Sequence, residues 1–360
     1  MAGKTCDLAI FGSTPLAQLL AGLLAAEHGQ SVCLVGTPWS PFHLPRRFDL
    51  SVVPATRPET WALLAEGTAE TLRLLAGIGR GLFERVDPLV IGETAASIDM
   101  LAHLRHVASG TGLAAERVTD SRIVAAGTGC RIRDAALLVT GRLEPALESW
   151  LDRQGVQRLP ADHTSASLRR DGSAQLQQGG EIVDARRVVL ADDAAIRRHL
   201  PAEIVAKVLQ PRAVSSVVTE PARPLAAPFV HYLDRGVMLG QRGGRGPVTA
   251  LADGDQEVLP RIGSCLAAQV PLLRAGQTRF ERLETLDGAP LVGSVAGSKA
   301  TLIAGFGVGG AFFAPALARL LAGAASAAEE SYFAARGGAR AAARRQAADW
   351  TDAGRTGHAA

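Results

Sequence analysis

The chain has 360 residues, 47% of them hydrophobic, with 38 basic and 35 acidic side chains and a net charge of +3. That length accommodates two joined domains with a substantial core, and so balanced a charge does not mark a nucleic-acid binder. No run of about 18 or more uncharged apolar residues stands out as a membrane span: residues 19 to 26 are too few, and residues 312 to 328 are interrupted by Arg319.

No secretory leader is read ahead of the first strand. The four cysteines, Cys6, Cys33, Cys130 and Cys265, are isolated, so reduced thiols in a cytoplasmic protein are expected. The eight histidines do not cluster at metal spacing, and no metal site is expected. His103 and His106 lie three apart on a helix-like stretch and are read as structural or exposed. No Ser/His/Asp arrangement with a nucleophile elbow is present.

Residues 7 to 11 read as a short apolar strand. Gly12-Ser13-Thr14-Pro15-Leu16-Ala17 turns into an Ala/Leu helix that runs to about His28, and residues 31 to 35 form a second strand. Gly29 falls where a helix C-cap belongs. This is the opening β-α-β of a dinucleotide fold. Against the pattern G-x-G-x-x-G/A, Gly12 and Ala17 hold the first and third places and Thr14 holds the second. A side chain there crowds a pyrophosphate. Gly36, followed by Thr37, stands where an acid would bind a ribose hydroxyl. Taken alone, the stretch also reads as an ordinary βαβ unit.

Residues 134 to 151 read as an amphipathic helix that leads through Gly155 and Val156 to a strand at Arg158 and Leu159. Residues 166 to 170 and 174 to 178 form a hairpin around Asp171-Gly172. Residues 181 to 190 are a strand that ends in Ala191. Asp192-Asp193 follow, and also read as a helix N-cap. Residues 211 to 280 carry short strands, including a hairpin over 230 to 240 that holds Tyr232. Arg282 follows, between Glu281 and Glu284.

Residues 301 to 304 are a short apolar strand. Gly305, Gly307, Gly309 and Gly310 follow, with Phe306 and Val308 among them, and then an apolar helix with Pro315 in its first turn. A strand, a Gly-rich turn and a helix N-terminus together suit an electron-rich or anionic group. Residues 324 to 360 are rich in Ala and Arg, with Arg336, Arg340, Arg344 and Arg345. They read as a peripheral helix with a frayed, solvated end.

Residues 286 to 293, the loop from Gly305 to Gly310 and the helix through Pro315 resemble the C-terminal closure of the D-amino acid oxidase and glycine oxidase superfamily of flavoproteins. The N-terminal βαβ lies at the opposite end of the chain, as that fold requires. The resemblance implies an α/β protein with a Rossmann-like FAD-binding domain built on a parallel sheet, plus a sheet-based substrate domain. The first would comprise residues 1–80, 130–210 and 282–326, and the second residues 81–129 and 211–281. Residues 327–360 would be a basic tail. FAD is implied to be non-covalent, because the cysteine that carries the flavin in some relatives is absent at residues 277 to 280.

Cofactor contacts are implied for Gly12, Ser13, Thr14, Pro15, Leu16, Ala17, Gly36, Thr37, Val156, Ala191, Gly305, Gly307, Val308, Gly309 and Gly310. The implied activity oxidises the C–N bond of an amino acid or related amine by hydride transfer to flavin N5. Arg282 and Tyr232 would orient the substrate carboxylate, although Leu283 stands where the family has Pro. An arginine suits that task through its planar fork, but Arg282 reads equally as a strand residue paired with Glu281 or Glu284. Thr14, Gly36 and Asp192-Asp193 depart from the family pattern. A second reading is therefore a non-catalytic subunit of the same fold, with a partner subunit, that has lost tight FAD binding.

Overall fold

Leu8, Ala9, Ile10 and Phe11 are all buried, so both faces of the first strand are covered, as in the centre of a parallel sheet. The computed structural model describes residues 4–40, 42–124, 126–254, 258–266 and 272–338. In it, Lys4–Phe11 lies parallel to Val32–Gly36 on one side and to Glu181–Leu190 on the other. Gln157–Pro160 continues the sheet beyond Val32–Gly36. Ser298–Ala304 and then Leu291–Val295 continue it beyond Glu181–Leu190. Ile10 pairs with Val189, and Val189 with Thr301, so the two ends of the chain share one sheet as expected. The hairpin Ser165–Leu168 and Ala174–Gln178 hangs on Glu181–Leu190.

The helix Pro15–His28 starts with a Thr14 cap and Pro15 and ends at Gly29, whose φ of 60° is left-handed. It packs against Thr140–Arg153 and Ala314–Ala322. Contact with the first of these requires a bare backbone: a Cβ on Gly22 would lie 2.1 Å from the Trp150 ring. Pro58–Ile78 packs against Ala314–Ala322 and the glycine-rich turn before it.

A second sheet runs in the order Arg274–Thr285, Leu209–Pro221, Pro247–Asp253, Val237–Gln241, Phe229–Tyr232, Leu89–Gly92, Thr128–Ile132, Ala115–Val118. Side chains alternate between its faces. Val214, Phe229, Met238 and Leu251 join the main core shared with the first sheet's helices. Val217, Val230, Tyr232, Leu239 and Ala250 belong to a separate core on the other face, with Ile262 of the helix Val258–Cys265. Among the described residues, no single helix is long and apolar enough to cross a membrane.

Two expectations are corrected. Residues 134 to 151 are not one helix. Ala135–Leu138 is a strand paired with Phe83–Val86, and the helix begins at Thr140. Asp134 takes a positive φ of 57°, and the pairing overrides the helix propensity of Ala and Leu. The segment after residue 326 is not wholly peripheral. Ser326 caps the helix Ala327–Ala334, whose Tyr332 and Phe333 are buried in the main core. Arg336 is only 4% exposed. Its guanidinium lies 3.5 Å from the centre of the Tyr332 ring and donates to Thr60 Oγ1. Residues 339–360, with Arg340, Arg344 and Arg345, lie outside the described residues.

Candidate cofactor cleft

The N-terminal turn is built by close backbone packing. A Cβ on Gly12 would lie 2.9 Å from the Ala17 Cβ, and one on Gly36 would lie 2.5 Å from the Gly12 carbonyl oxygen. A glycine at 36 is thus a packing requirement here, which leaves no acid for a ribose. The Thr37 amide donates to Ser13 Oγ at 2.8 Å. Ala191 is buried, and its amide donates to the Phe11 carbonyl at 2.8 Å. Val156 is buried in the main core.

Two of the amides that a phosphate would use at this helix start are engaged. The Ser13 amide donates to Asp192 Oδ2 at 2.7 Å. The Ala17 amide donates to Thr14 Oγ1 at 3.3 Å. Pro15 has no N–H to offer. The other Asp192 oxygen, Oδ1, accepts from the Ala195 amide at 2.8 Å and caps the helix Asp193–His199. A carboxylate therefore stands where the fold would receive an anionic phosphate. The adjoining crevice, lined by Gly12, Ser13, Gly36, Thr37, Glu148 and Arg158, has a volume of about 200 Å³. Small-molecule sites typically have about 300–1,000 Å³. A larger hollow of about 850 Å³ lies elsewhere, beside Lys207 and Lys299, and none of the candidate cofactor residues lines it.

The C-terminal loop turns at Gly305 and Gly307, with φ of 74° and 54°, which favours glycine. The run Gly307–Phe313 then feeds the helix Ala314–Ala322, with Pro315 in its first turn. A segment of the chain itself lies against this loop. The Leu50 amide donates to the Val308 carbonyl at 2.8 Å. A Cβ on Gly309 would lie 2.8 Å from Val53 Cγ1, and one on Gly310 would lie 3.5 Å from Arg47 Nη2 and 3.6 Å from Leu16 Cδ2.

The same segment touches the second sheet. Ser216 Oγ donates to the Pro45 carbonyl. Leu44 packs on Gly276, and Arg46 lies 5.7 Å over the Phe280 ring. The Phe48 ring meets Phe229 edge-on at 5.1 Å, and a Cβ on Gly240 would come within 2.5 Å of it. Asp49 is buried and accepts from Arg47 Nη2 at 2.8 Å. Burial pushes its carboxyl up despite the arginine beside it.

Arg282 is already paired within the protein. Its Nη2 lies 2.7 Å from Glu284 Oε1 and 3.1 Å from Asp253 Oδ1, and Glu284 is shared with Arg212 Nε at 2.8 Å. Burial opposes the Arg282 charge, but the two carboxylates outweigh it and hold the guanidinium protonated. The carboxylate-clamp expectation therefore meets a fork occupied by internal carboxylates, and the pairing with Glu284 is the arrangement found.

Tyr232 is a correction. It lies on the far face of the second sheet, where its hydroxyl donates to the Cys265 carbonyl at 2.7 Å. By alternation, His231 is the neighbour that shares the face of Met238 and Leu251. Burial, helped by the Arg282 charge, pushes His231 down to about 4. Two acids are shifted upward: burial raises Asp193 to about 6, although it accepts from the Leu283 amide. Burial likewise raises Glu144 to about 7, with Gln18 Nε2 donating to it at 2.6 Å.

FAD, an extended dinucleotide, does not fit this conformation. The Ser13 amide is taken by a carboxylate, the crevice beside it is small, and residues 44–53 occupy the space between the glycine loop and the second sheet. Sequence reasoning missed residues 44–53 because they carry neither periodicity nor motif. Asp192 was legible as a cap, but its second bond to Ser13 is a long-range contact.

No protein-family model matches the chain, and no curated protein matches it in sequence. Solved structures do. L-proline dehydrogenase from P. horikoshii is 14% identical, with a TM-score of 0.72 over 92% of this chain and 97% of that one. Glycine oxidase from Geobacillus kaustophilus is 17% identical, with a TM-score of 0.67 over 89% and 94%. Iminodiacetate oxidase from Chelativorans sp. BNC1 is 18% identical, with a TM-score of 0.64 over 88% and 95%. The chain has the fold of the D-amino acid oxidase and glycine oxidase group.

Proposed function

We propose that the chain is a cytoplasmic oxidoreductase acting on the C–N bond of a small amino acid or related amine, with non-covalent FAD in an opened form of the cleft. One observation carries the reading: the strand Ser298–Ala304, the turn from Gly305 and the helix Ala314–Ala322 stand at the carboxyl end of the parallel sheet, where such folds receive ligands. The proteins that share this fold include ones named for proline, glycine and iminodiacetate oxidation. In that role the N-terminal end of Ala314–Ala322 favours an anionic group through its partial positive charge. Leu16 and Phe306, buried beside the glycine loop, would give the opened cleft an apolar lining.

A second reading is a flavin-free subunit of such an oxidoreductase. The Ser13–Asp192 bond favours it. The test is anaerobic incubation with excess FAD and a panel of amino acids and secondary amines. Protein-dependent bleaching of the flavin with formation of the oxo product supports the enzyme. A well-folded protein with which none of the amines bleaches the flavin, even in the opened variant described below, supports the subunit.

A further inference from the structure

We infer that residues 44–53 form an intramolecular plug and that Asp192 is its anionic counterpart at the helix start, so that the closed protein excludes FAD by occupying both halves of its site. The inference rests on the reading of this cleft as a flavin site.

The plug bridges two walls. On one wall it is fixed by the backbone bond from Leu50 to Val308 and by Val53 against Gly309. On the other it is fixed by Phe48 on Phe229 and Gly240, and by the Ser216 hydroxyl on the Pro45 carbonyl. Its middle is tied down by strand-like bonds: the Ser51 amide donates to Ala136 at 2.9 Å, the Leu138 amide donates to Asp49 at 2.9 Å, and the Ala136 amide donates to Ser51 Oγ at 2.8 Å. Gly240 and Gly309 are bare where Phe48 and Val53 press on them, so the walls are shaped to this segment.

The phosphate half is closed by charge. Asp192 presents one oxygen to Ser13 and the other to Ala195. It thereby satisfies the starts of two elements with the same kind of group that a pyrophosphate would bring. A dinucleotide entering this site must break the Ser13 bond and overcome like-charge repulsion from Asp192, and Pro15 offers no N–H in its place. The two closures are separate in sequence and converge on one cleft: Leu16 lies in the helix that Thr14 caps, and a Cβ on Gly310 would lie 3.6 Å from its Cδ2 and 3.5 Å from Arg47 Nη2.

The experiment measures FAD affinity by titration in the full-length wild type and in the double variant Asp192→Asn, Phe48→Ala. Asn keeps an oxygen to cap the following helix while removing the charge, and Ala removes the ring seated on Gly240. The expected result is at least a tenfold tightening in the double variant. Hydrogen exchange of the peptide spanning residues 44–53 is followed alongside in the wild type at saturating FAD. It should rise as the plug is displaced, and this readout stands even where the variant folds poorly. Equal affinity in both proteins, or FAD binding to the wild type with exchange over 44–53 unchanged, overturns the inference.

The two readings fail differently. A double variant that binds FAD tightly yet oxidises no amine leaves the plug standing and removes the proposed activity. A wild type that binds FAD as tightly as the variant and oxidises an amine does the reverse.

Discussion

Glu144 is a buried acid that hydrogen-bonds Gln18, one of the residues lining the crevice. Burial raises its carboxyl from the ordinary 4.5 to about 7, so the native state holds its proton more tightly than the unfolded chain does. Below about pH 4.5 both states are protonated and no stability is lost. Between there and about pH 7 the unfolded chain ionises first, and stability falls as pH rises. Above pH 7 the loss is constant, on the order of 3 kcal/mol. Glu144→Gln keeps an acceptor for Gln18 and removes the ionisation. It should raise the Tm at pH 8 and leave it nearly unchanged at pH 4; equal shifts at both pH values would show that Glu144 is not held protonated.

Arg336 is a second residue-scale case. It is buried over Tyr332 and bonded to Thr60, so Arg336→Ala should destabilise the fold by about 2–4 kcal/mol, measured by urea titration. A loss under about 0.5 kcal/mol, the usual range for a surface substitution, would return it to the solvated tail. At this scale the sequence was legible where one residue type has one use. Gly12 and Ala17 sit where the fingerprint puts them. Tyr232 was not legible in this way, because which face of a strand a side chain takes is set by pairing with neighbouring strands.

Elements were legible where their own pattern decides them. The helix Pro15–His28 carries its Pro start and Gly29 stop in its sequence, and the hairpin at Gly172 turns with φ of 87°. Ala135–Leu138 was not legible, because its strand character comes from pairing with Phe83–Val86. Residues 44–53 were illegible for the same reason, since all their structure is borrowed from the walls they touch. Packing between elements makes its own prediction. A Cβ on Gly67 would lie 2.1 Å from the Phe312 carbonyl oxygen, a backbone atom that cannot move aside cheaply. Gly67→Ala should therefore cost about 1–3 kcal/mol, despite the roughly 1 kcal/mol that Ala gains over Gly in a helix. A thermal melt in which Gly67→Ala is as stable as wild type would show that Pro58–Ile78 does not bear on the glycine turn this closely.

At the scale of the whole molecule, the two ends of the chain meet in one parallel sheet, and the middle supplies a second sheet that shares the main core. That much was legible because the βαβ opening and the strand, glycine loop and helix closure are local patterns at known places. The state of the cleft between the sheets was not, because it depends on which distant residues fill it. Phe48, Leu50, Val53 and Asp192 do so here. The most direct measurement is the flavin content of the purified full-length wild type, read as visible absorbance before and after denaturation. A folded, colourless protein that releases little or no FAD is the result this account predicts. A yellow protein that releases one FAD per chain would contradict the plug, while leaving the proposed oxidoreductase standing.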